Sequence, residues 1–367
     1  MLRLRVFVLP LIISMNSIFA CSDELLCVVQ VFRHGQRTPI SFYTNDPYAD
    51  LNKYFEGLNL GQLTNEGKRQ QYALGKLTRN MYADFLPAAY NKSDFVGYST
   101  DIERAEMSAL VNVFGIFPTF KEQQWKVDLM WEPIPIDHAL PEVFKDSPFC
   151  SNYWKLLIQL FQSKEIVATN KKYSNLYEYL SKHTGQHVAT LLDAHQIYDI
   201  LKIEDNRGLS LPSWTSEVYP YPLRNLSGIY FKILSHTTQM KRLYAGVFFH
   251  EVLTQFNLMT SNSGLPRYHM YSGHDSNIAS ILNSFEVFEP PYPPEFASSI
   301  WMELHRKDDK LVVNVHSKDG EETKQISIRG CDLDCPLDEV VKRLRDVTLD
   351  IPALTTECKE IDGFLKS

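Results

Sequence analysis

Residues 25–39 read LLCVVQVFRHGQRTP, an apolar and Val-rich run that is followed at once by basic side chains. The apolar part, residues 25–32, is typical of a central strand that is buried on both faces. In such a strand Cys27 is expected to be an inert, buried thiol. The run stops at Arg33 and His34, so the sequence predicts a basic cluster at the carboxyl end of a central strand.

The segments after this strand alternate between helical and extended patterns. Residues 64–85 show near-helical apolar spacing after Thr64, a residue type that favours the N-cap position. Residues 95–99 read as a short strand, and a helical pattern that contains Arg104 follows. This order of strand, helix, strand and helix predicts an α/β fold.

A second buried strand is predicted much later, at residues 268–272. It ends just before His274 and Asp275, and a helical pattern covers residues 276–285. Residues 299–316 then predict a hairpin. Together these patterns predict a mixed, mainly parallel sheet flanked by helices.

Residues 140–227 differ from the segments before them, because few strand patterns occur and helical patterns dominate. We interpret this segment as a smaller, all-α cap inserted into the α/β unit. The predicted α/β catalytic domain is therefore discontinuous and comprises residues 21–139 and 228–367.

Residues 1–20 predict a secretory signal peptide with cleavage after Ala20. Arg3 and Arg5 precede the apolar residues 6–13, and small side chains follow. A membrane anchor is the alternative, but the apolar run is too short to span a bilayer. We therefore expect a secreted, extracellular protein without a membrane anchor, or a protein of the lysosomal lumen.

The formal net charge of −7 makes electrostatic binding to nucleic acid a poor interpretation. Two sequons, at Asn91 and Asn225, are predicted glycosylation sites of a secreted chain. An oxidising compartment also favours disulfides among the six cysteines. The Cys331 and Cys335 spacing would suit zinc, but no second Cys or His pair nearby completes a ligand set.

Three polar segments follow predicted strands, and they share one chemistry. The first is residues 33–39, the second contains Arg104, and the third is His274 with Asp275. Ligands of open α/β sheets bind outside the carboxyl ends of the strands, so these segments are expected to converge. Three arginines can surround a phosphate dianion, a histidine can act as nucleophile, and a carboxyl group can protonate a leaving alkoxide.

Each feature alone also has a structural explanation. Arg104 reads equally well as a solvated charge on a helix. His274 and Asp275 read equally well as a structural pair, in which Asp275 orients the histidine or caps the helix that begins at Ser276.

Residues 33–39 resemble the Arg-His-Gly-x-Arg-x-Pro signature of the histidine acid phosphatases, a family that includes prostatic, lysosomal and insect venom enzymes. Residues 99–104 (STDIER) resemble the second arginine segment of that family, and residues 270–275 (MYSGHD) resemble its His-Asp segment. The likeness continues through residues 131–135 (WEPIP) and 211–214 (LPSW). It thus covers nearly the whole chain after the leader.

The resemblance implies a phosphoglycerate mutase-like fold and hydrolysis of phosphate monoesters through a phosphohistidine. It implies that His34 is the nucleophile and Asp275 the proton donor. It implies that the phosphoryl group is held by Arg33, Arg37, Arg104 and His274. It implies no metal and no organic cofactor. The expected substrates are small phosphate monoesters, with phosphoproteins and phospholipids as further candidates.

Cys331 and Cys335 are expected to pair because they are close in sequence, and the resemblance implies that Cys150 pairs with Cys358. Cys21 and Cys27 are then expected to be unpaired. A homodimer is implied as well, because Trp131 lies in a Pro-rich segment that matches one near the family's interface.

The sequence departs from the family pattern at Gln36, where many relatives carry an acid, and at Tyr98, where mammalian relatives carry an arginine. These positions leave the substrate preference open. A phytase or inositol polyphosphate phosphatase is the alternative activity, and the lysines of the cap are its only support. A secreted binding protein that has lost turnover is the alternative from another class.

Overall fold

The computed structural model describes residues 23–119, 124–138, 143, 150–261 and 264–358. The predicted signal peptide and Cys21 lie outside these residues. In the described part of the chain, no helix is long and apolar enough to cross a membrane. The strands are β1 (Asp23–Arg33), β2 (Phe95–Ser99), β3 (Asp137–His138), β4 (Tyr268–Gly273), β5 (Ser299–Lys307), β6 (Lys310–Asp319), β7 (Glu322–Ile326) and β8 (Cys335–Pro336).

The helices before the second half of the sheet are α1 (Leu51–Tyr54), α2 (Asn65–Met81), α3 (Glu103–Ile116), α4 (Ser151–Phe161), α5 (Lys164–Lys172), α6 (Ser174–Thr184), α7 (Leu191–Asn206), α8 (Leu223–Ile233) and α9 (Thr238–Thr260). The later helices are α10 (Asp275–Ser284), α11 (Leu337–Leu344) and α12 (Ile351–Cys358). A short 3₁₀ helix, Ser213–Glu217, precedes α8.

The strands form one mixed sheet in the order β3-β2-β4-β1-β5-β6-β7, with β8 beside β6. The pairs β2/β3, β2/β4 and β1/β4 are parallel, whereas β5 and the strands beyond it are antiparallel. The predicted mixed sheet is therefore confirmed. Its antiparallel part is larger than the single predicted hairpin, because β7 and β8 both pair with the edge of β6 that faces away from β5.

β1 is central and is covered on both faces, as its sequence predicts. Val28 and Phe32 pack into the core beneath α2 and α3. Val29 and Val31 point to the opposite face and join the core formed with α8, α9 and α10. Alternate residues of an extended chain face opposite sides, so a strand with apolar residues at both sets of positions must be buried on both faces.

The register of the parallel strands brings the predicted site segments together. Arg33 lies opposite Gly273 in the β1/β4 pair, and Ser99 lies opposite Ser272 in the β2/β4 pair. The residues that follow these strands therefore leave the sheet at one edge.

The predicted cap corresponds to a helical region. In the described residues 150–233, helices α4 to α8 and the 3₁₀ helix occur and no strand does. The predicted boundary between Ser227 and Gly228 falls within α8, so a division of the chain at that point would cut a continuous helix. The two-unit organisation remains a prediction.

Both predicted disulfides are present. Cys150 is bonded to Cys358, which links the start of α4 to α12, and Cys331 is bonded to Cys335. Cys27 is a free, buried thiol, and burial raises its pKa to about 12. It is therefore the inert thiol that the apolar sequence around it predicts.

A buried pair of carboxyl groups joins the loop between β1 and α1 to the helical region. Glu204 on α7 is fully buried, and its carboxyl group lies beside that of Asp46. Burial, and then the charge of the neighbouring Asp46, raise the pKa of Glu204, and burial raises that of Asp46 as well. Two adjacent buried carboxyls cannot both ionise, so this pair retains a proton at neutral pH.

We predict that Glu204→Gln reduces the pH dependence of stability. A carboxyl group with a raised pKa in the folded state stabilises fully at low pH, and this contribution is lost as the pH rises. Glutamine supplies a permanent N–H donor to Asp46, so between pH 5 and pH 8 the variant should lose roughly 2 kcal/mol less unfolding free energy than the wild type. Denaturant unfolding at both pH values measures this, with the exposed Glu178→Gln as control. An identical pH dependence in wild type and Glu204→Gln would refute the shared proton.

Candidate active site

His34 is buried directly after β1, and its hydrogen bonds define its tautomer. Nδ1 lies 2.8 Å from the carbonyl oxygen of Gly35, which can only accept, so Nδ1 carries the proton. Nε2 accepts a hydrogen bond from Nε of Arg104 at 3.0 Å. The imidazole is therefore neutral and its Nε2 is unprotonated, which is the state a nucleophile requires.

Gly35 is required because two backbones meet at this point. A Cβ atom at Gly35 would lie 2.2 Å from the carbonyl oxygen of Gly67 in the first turn of α2, and a Cβ at Gly67 would lie 2.2 Å from that of Gln36. The amide of Gly35 also donates to the Ser108 hydroxyl of α3 at 3.1 Å. Helices α2 and α3 thus fix the peptide that orients His34.

The three arginines of the predicted site have different partners. Arg104 bonds to His34, as described above. Arg37 donates two hydrogen bonds to the Asp199 carboxylate, at 3.0 and 3.2 Å. Arg33 pairs with Asp275 at 2.8 Å and stacks 4.0 Å from the centre of the Phe296 ring.

His274 is held at the start of α10 by two contacts. Its backbone amide donates to the side chain of Asn277 at 2.8 Å. Its Nε2 lies 3.0 Å from the Thr100 hydroxyl, which comes from the loop after β2. The ring centre is 5.5 Å from that of His34. All three predicted segments therefore contribute to one site.

Asp275 is the acidic member of the site. One carboxylate oxygen pairs with Arg33, and the other accepts the amide of Ser276 at 2.9 Å. Burial alone would raise the pKa of Asp275, but the nearby cations Arg33 and Arg37 outweigh it and lower that pKa to about 2. Without a bound anion the carboxyl group is therefore ionised.

The side chains His34, Arg37, Arg104, His274 and Asp275 line one cavity of about 580 Å³. Arg33 does not line this cavity. Its guanidinium lies in a small adjoining space of about 20 Å³ that it shares with Asp275 and Phe296. The structure thus brings five of the six predicted residues to the cavity surface and places the sixth behind Asp275.

The two departures from the family pattern lie away from the cavity surface. Tyr98 stacks on Tyr271 in the sheet, with ring centres 5.0 Å apart. The Gln36 side chain is buried beside Thr64, and its backbone amide donates to Gln70. Neither side chain is among those that line the cavity of His34.

Sequence reasoning missed three side chains of the site. Asp199 and His195 lie one turn apart on α7, and Phe296 lies in the loop before β5. The i, i+4 spacing of His195 and Asp199 places them on one helix face, but the same spacing is common on solvated helices. No local signal marks Phe296.

Comparisons with known proteins agree with this geometry. A model of the histidine phosphatase superfamily (branch 2) matches residues 24–325. Venom acid phosphatase Acph-1 of Apis mellifera is 31% identical over 338 residues, which are 88% of this chain and 85% of that protein. Prostatic acid phosphatase of Bos taurus is 32% identical over 338 residues, which are 89% of this chain and 86% of that protein.

Solved structures show the same fold at low identity. The apo form of Hafnia alvei phytase superposes with a TM-score of 0.67 and 16% identity, and the match covers 90% of this chain and 98% of that chain. This likeness concerns the fold alone.

We predict that His34 stays neutral at acidic pH and that Arg104 is one cause. Burial, followed by the charges of Arg104 and Arg33, holds the pKa of His34 well below its ordinary value. A ¹⁵N NMR titration of the free protein should therefore show neutral His34 well below pH 6.5. Arg104→Gln removes one cation, so His34 should titrate at a higher pH. Titration of wild-type His34 at or above its ordinary value would contradict this account.

Proposed function

Because the chain belongs to branch 2 of the histidine phosphatase superfamily, we propose that it is an acid phosphatase that hydrolyses phosphate monoesters through a phosphohistidine on His34. The observation that carries the proposal is the unprotonated Nε2 of His34, whose hydrogen-bond donor is Arg104, beside a cluster of basic side chains. The nucleophile, the charge-stabilising groups and one carboxyl group all line a single cavity.

Substrate binding uses the basic side chains that line the cavity. Arg37, Arg104 and His274 lie around the space in front of His34 and hold the phosphoryl oxygens with charge-assisted hydrogen bonds. Arg33 stands behind Asp275, where it balances the carboxylate and adds its charge to the site. No step requires a metal ion or an organic cofactor.

In the first step Nε2 of His34 attacks phosphorus and the bond to the alcohol oxygen breaks. The arginines stabilise the charge on the equatorial oxygens. Asp275 gives its proton to the leaving oxygen and becomes a carboxylate. The negative charge of bound phosphate opposes the pull of the arginines and raises the pKa of Asp275, so the acid form is available at acidic pH.

In the second step water attacks the phosphohistidine. The Asp275 carboxylate takes a proton from the water as the new P–O bond forms and the N–P bond breaks. His34 regains its lone pair and phosphate leaves. Asp275 is again protonated, so it acts as acid in one step and base in the other.

The finer features of the proposal concern the environment of the protein. We infer a secreted or lysosomal glycoprotein, because the sequence begins with a leader pattern and the structure contains two disulfides. Asn91 and Asn225 are both exposed, which a glycan requires. The homodimer rests on the family resemblance and on Trp131, whose side chain is exposed in the described chain.

The geometry favours a phosphatase of simple monoesters over a phytase. A polyanionic substrate needs cations around its outer phosphates, but among the described residues that line the cavity no lysine occurs. The two arginines that line the cavity, Arg37 and Arg104, are those that hold the phosphoryl group. All six predicted site residues are present, so nothing supports a binding protein without turnover. Phytate should therefore be hydrolysed much more slowly than an aryl phosphate.

We predict that His34→Ala abolishes turnover and phosphoenzyme formation, because no other side chain of the motif can replace the nucleophile. Arg104→Ala should retain a phosphoenzyme but lose about 10²–10³ in rate, since the transition-state charge is then under-compensated. Steady-state hydrolysis of an aryl phosphate measures both, with the exposed His138→Ala as control. Near-normal turnover by His34→Ala would end the proposed mechanism.

We predict that Asp275→Asn slows alkyl phosphates severely and nitrophenyl phosphate much less. An alkoxide is a strong base and leaves slowly without a proton, whereas nitrophenolate departs unprotonated. The ratio of the rates on the two esters shows whether Asp275 is a proton donor or has only a structural role. An equal loss on both esters in a folded variant would assign Asp275 a purely structural role.

A further inference from the structure

The cavity of His34 has two ends of opposite character. The phosphoryl end carries the polar groups described above. The other end is formed by the helical region and α9, and its apolar lining consists of Tyr153, Trp154, Leu157, Phe161, Leu192, Tyr230, Phe231, Leu234 and Tyr244. A polar end joined to an apolar wall in one cavity is the arrangement expected for an amphiphilic ligand.

We propose that this apolar end is a subsite for the alcohol part of the substrate, and that it takes an extended apolar alcohol. The proposal rests on the acid phosphatase function proposed above and names its substrate class. The preferred substrates are then monoesters in which phosphate is bonded to a long hydrocarbon chain.

The wall next to the leaving group is rigid. The His195 ring stacks on Tyr230 with centres 4.5 Å apart and meets Phe231 edge-on at 5.0 Å. Its Nδ1 lies 2.8 Å from the Ser227 hydroxyl of α8. Three contacts from one helix thus fix this ring, which lines the same cavity as Asp275.

The apolar surface continues from the cavity to the outside of the protein. Ile40, Trp154 and Leu192 line the cavity and are 51%, 44% and 37% exposed. Large apolar side chains at the mouth of a cavity commonly mark a binding surface for apolar groups. A chain that leaves the phosphoryl end can therefore follow apolar side chains to the surface, which favours an elongated group over a compact one.

The energetic consequence is a dependence of rate on chain length. Burial of one methylene group is worth about fourfold in an equilibrium constant. Binding energy of a remote part of the substrate appears in kcat/KM. Each methylene that contacts the wall should therefore raise kcat/KM by up to about fourfold, and the gain should stop once the chain extends past the mouth.

The test is a series of methyl, butyl, hexyl and octyl phosphate, with benzyl phosphate as a compact aromatic ester. For the wild-type protein we expect kcat/KM to rise from methyl to octyl phosphate by at least 10². Trp154→Ala should reduce kcat/KM for octyl phosphate by about tenfold and leave kcat/KM for methyl phosphate unchanged. Lys155→Ala, the exposed neighbour on the same helix, is the matched control and should behave as wild type.

The outcomes separate the subsite from the activity. A flat series with normal turnover of methyl phosphate would overturn the subsite and leave the phosphatase intact. A kcat/KM for benzyl phosphate above that for octyl phosphate would overturn the preference for an extended alcohol, because it would indicate a compact aromatic pocket. The absence of a phosphoenzyme with every ester would instead refute the proposed function.

Discussion

Parallel pairing of β1, β4 and β2 is the constraint on which the site depends. In a parallel sheet all carboxyl ends point to one edge, and the register here sets Arg33 opposite Gly273. His34 and His274 therefore emerge side by side although 240 residues separate them in sequence. A slip of one residue in this register would reverse the faces of the β1 side chains relative to those of β4 and would move His34 away from His274.

The same packing creates an electrostatic problem, because it confines several cations in a buried site. Two carboxylates compensate these charges. Asp275 pairs with Arg33, and Asp199 pairs with Arg37. A buried charge without a partner is costly, so these pairs stabilise the site while no anion is bound. Burial, followed by the charges of Arg104 and Arg33, lowers the pKa of His34 and holds the ring in its neutral form.

Sequence reasoning could locate the phosphoryl end of the site because its residues directly follow predicted strands. It could not find Asp199 or His195, since their partners come from other elements and their helix spacing is unremarkable. It could not assign the cavity wall either. Trp154 reads as one apolar residue of an amphipathic helix, and only the packing of α4 beside α8 and α9 shows that it faces the cavity. Local motifs thus predict the reaction, whereas the leaving-group side depends on tertiary contacts.

The central claim is that the Nδ1–H bond to Gly35 leaves Nε2 of His34 as the nucleophile. The most direct test is to trap the phosphoenzyme by rapid quenching at alkaline pH and to determine the phosphorylated atom by peptide mass spectrometry and ³¹P NMR. The account predicts a single phosphohistidine at His34, bonded through Nε2. Phosphorylation at Nδ1 of His34, or on any other residue, would contradict it.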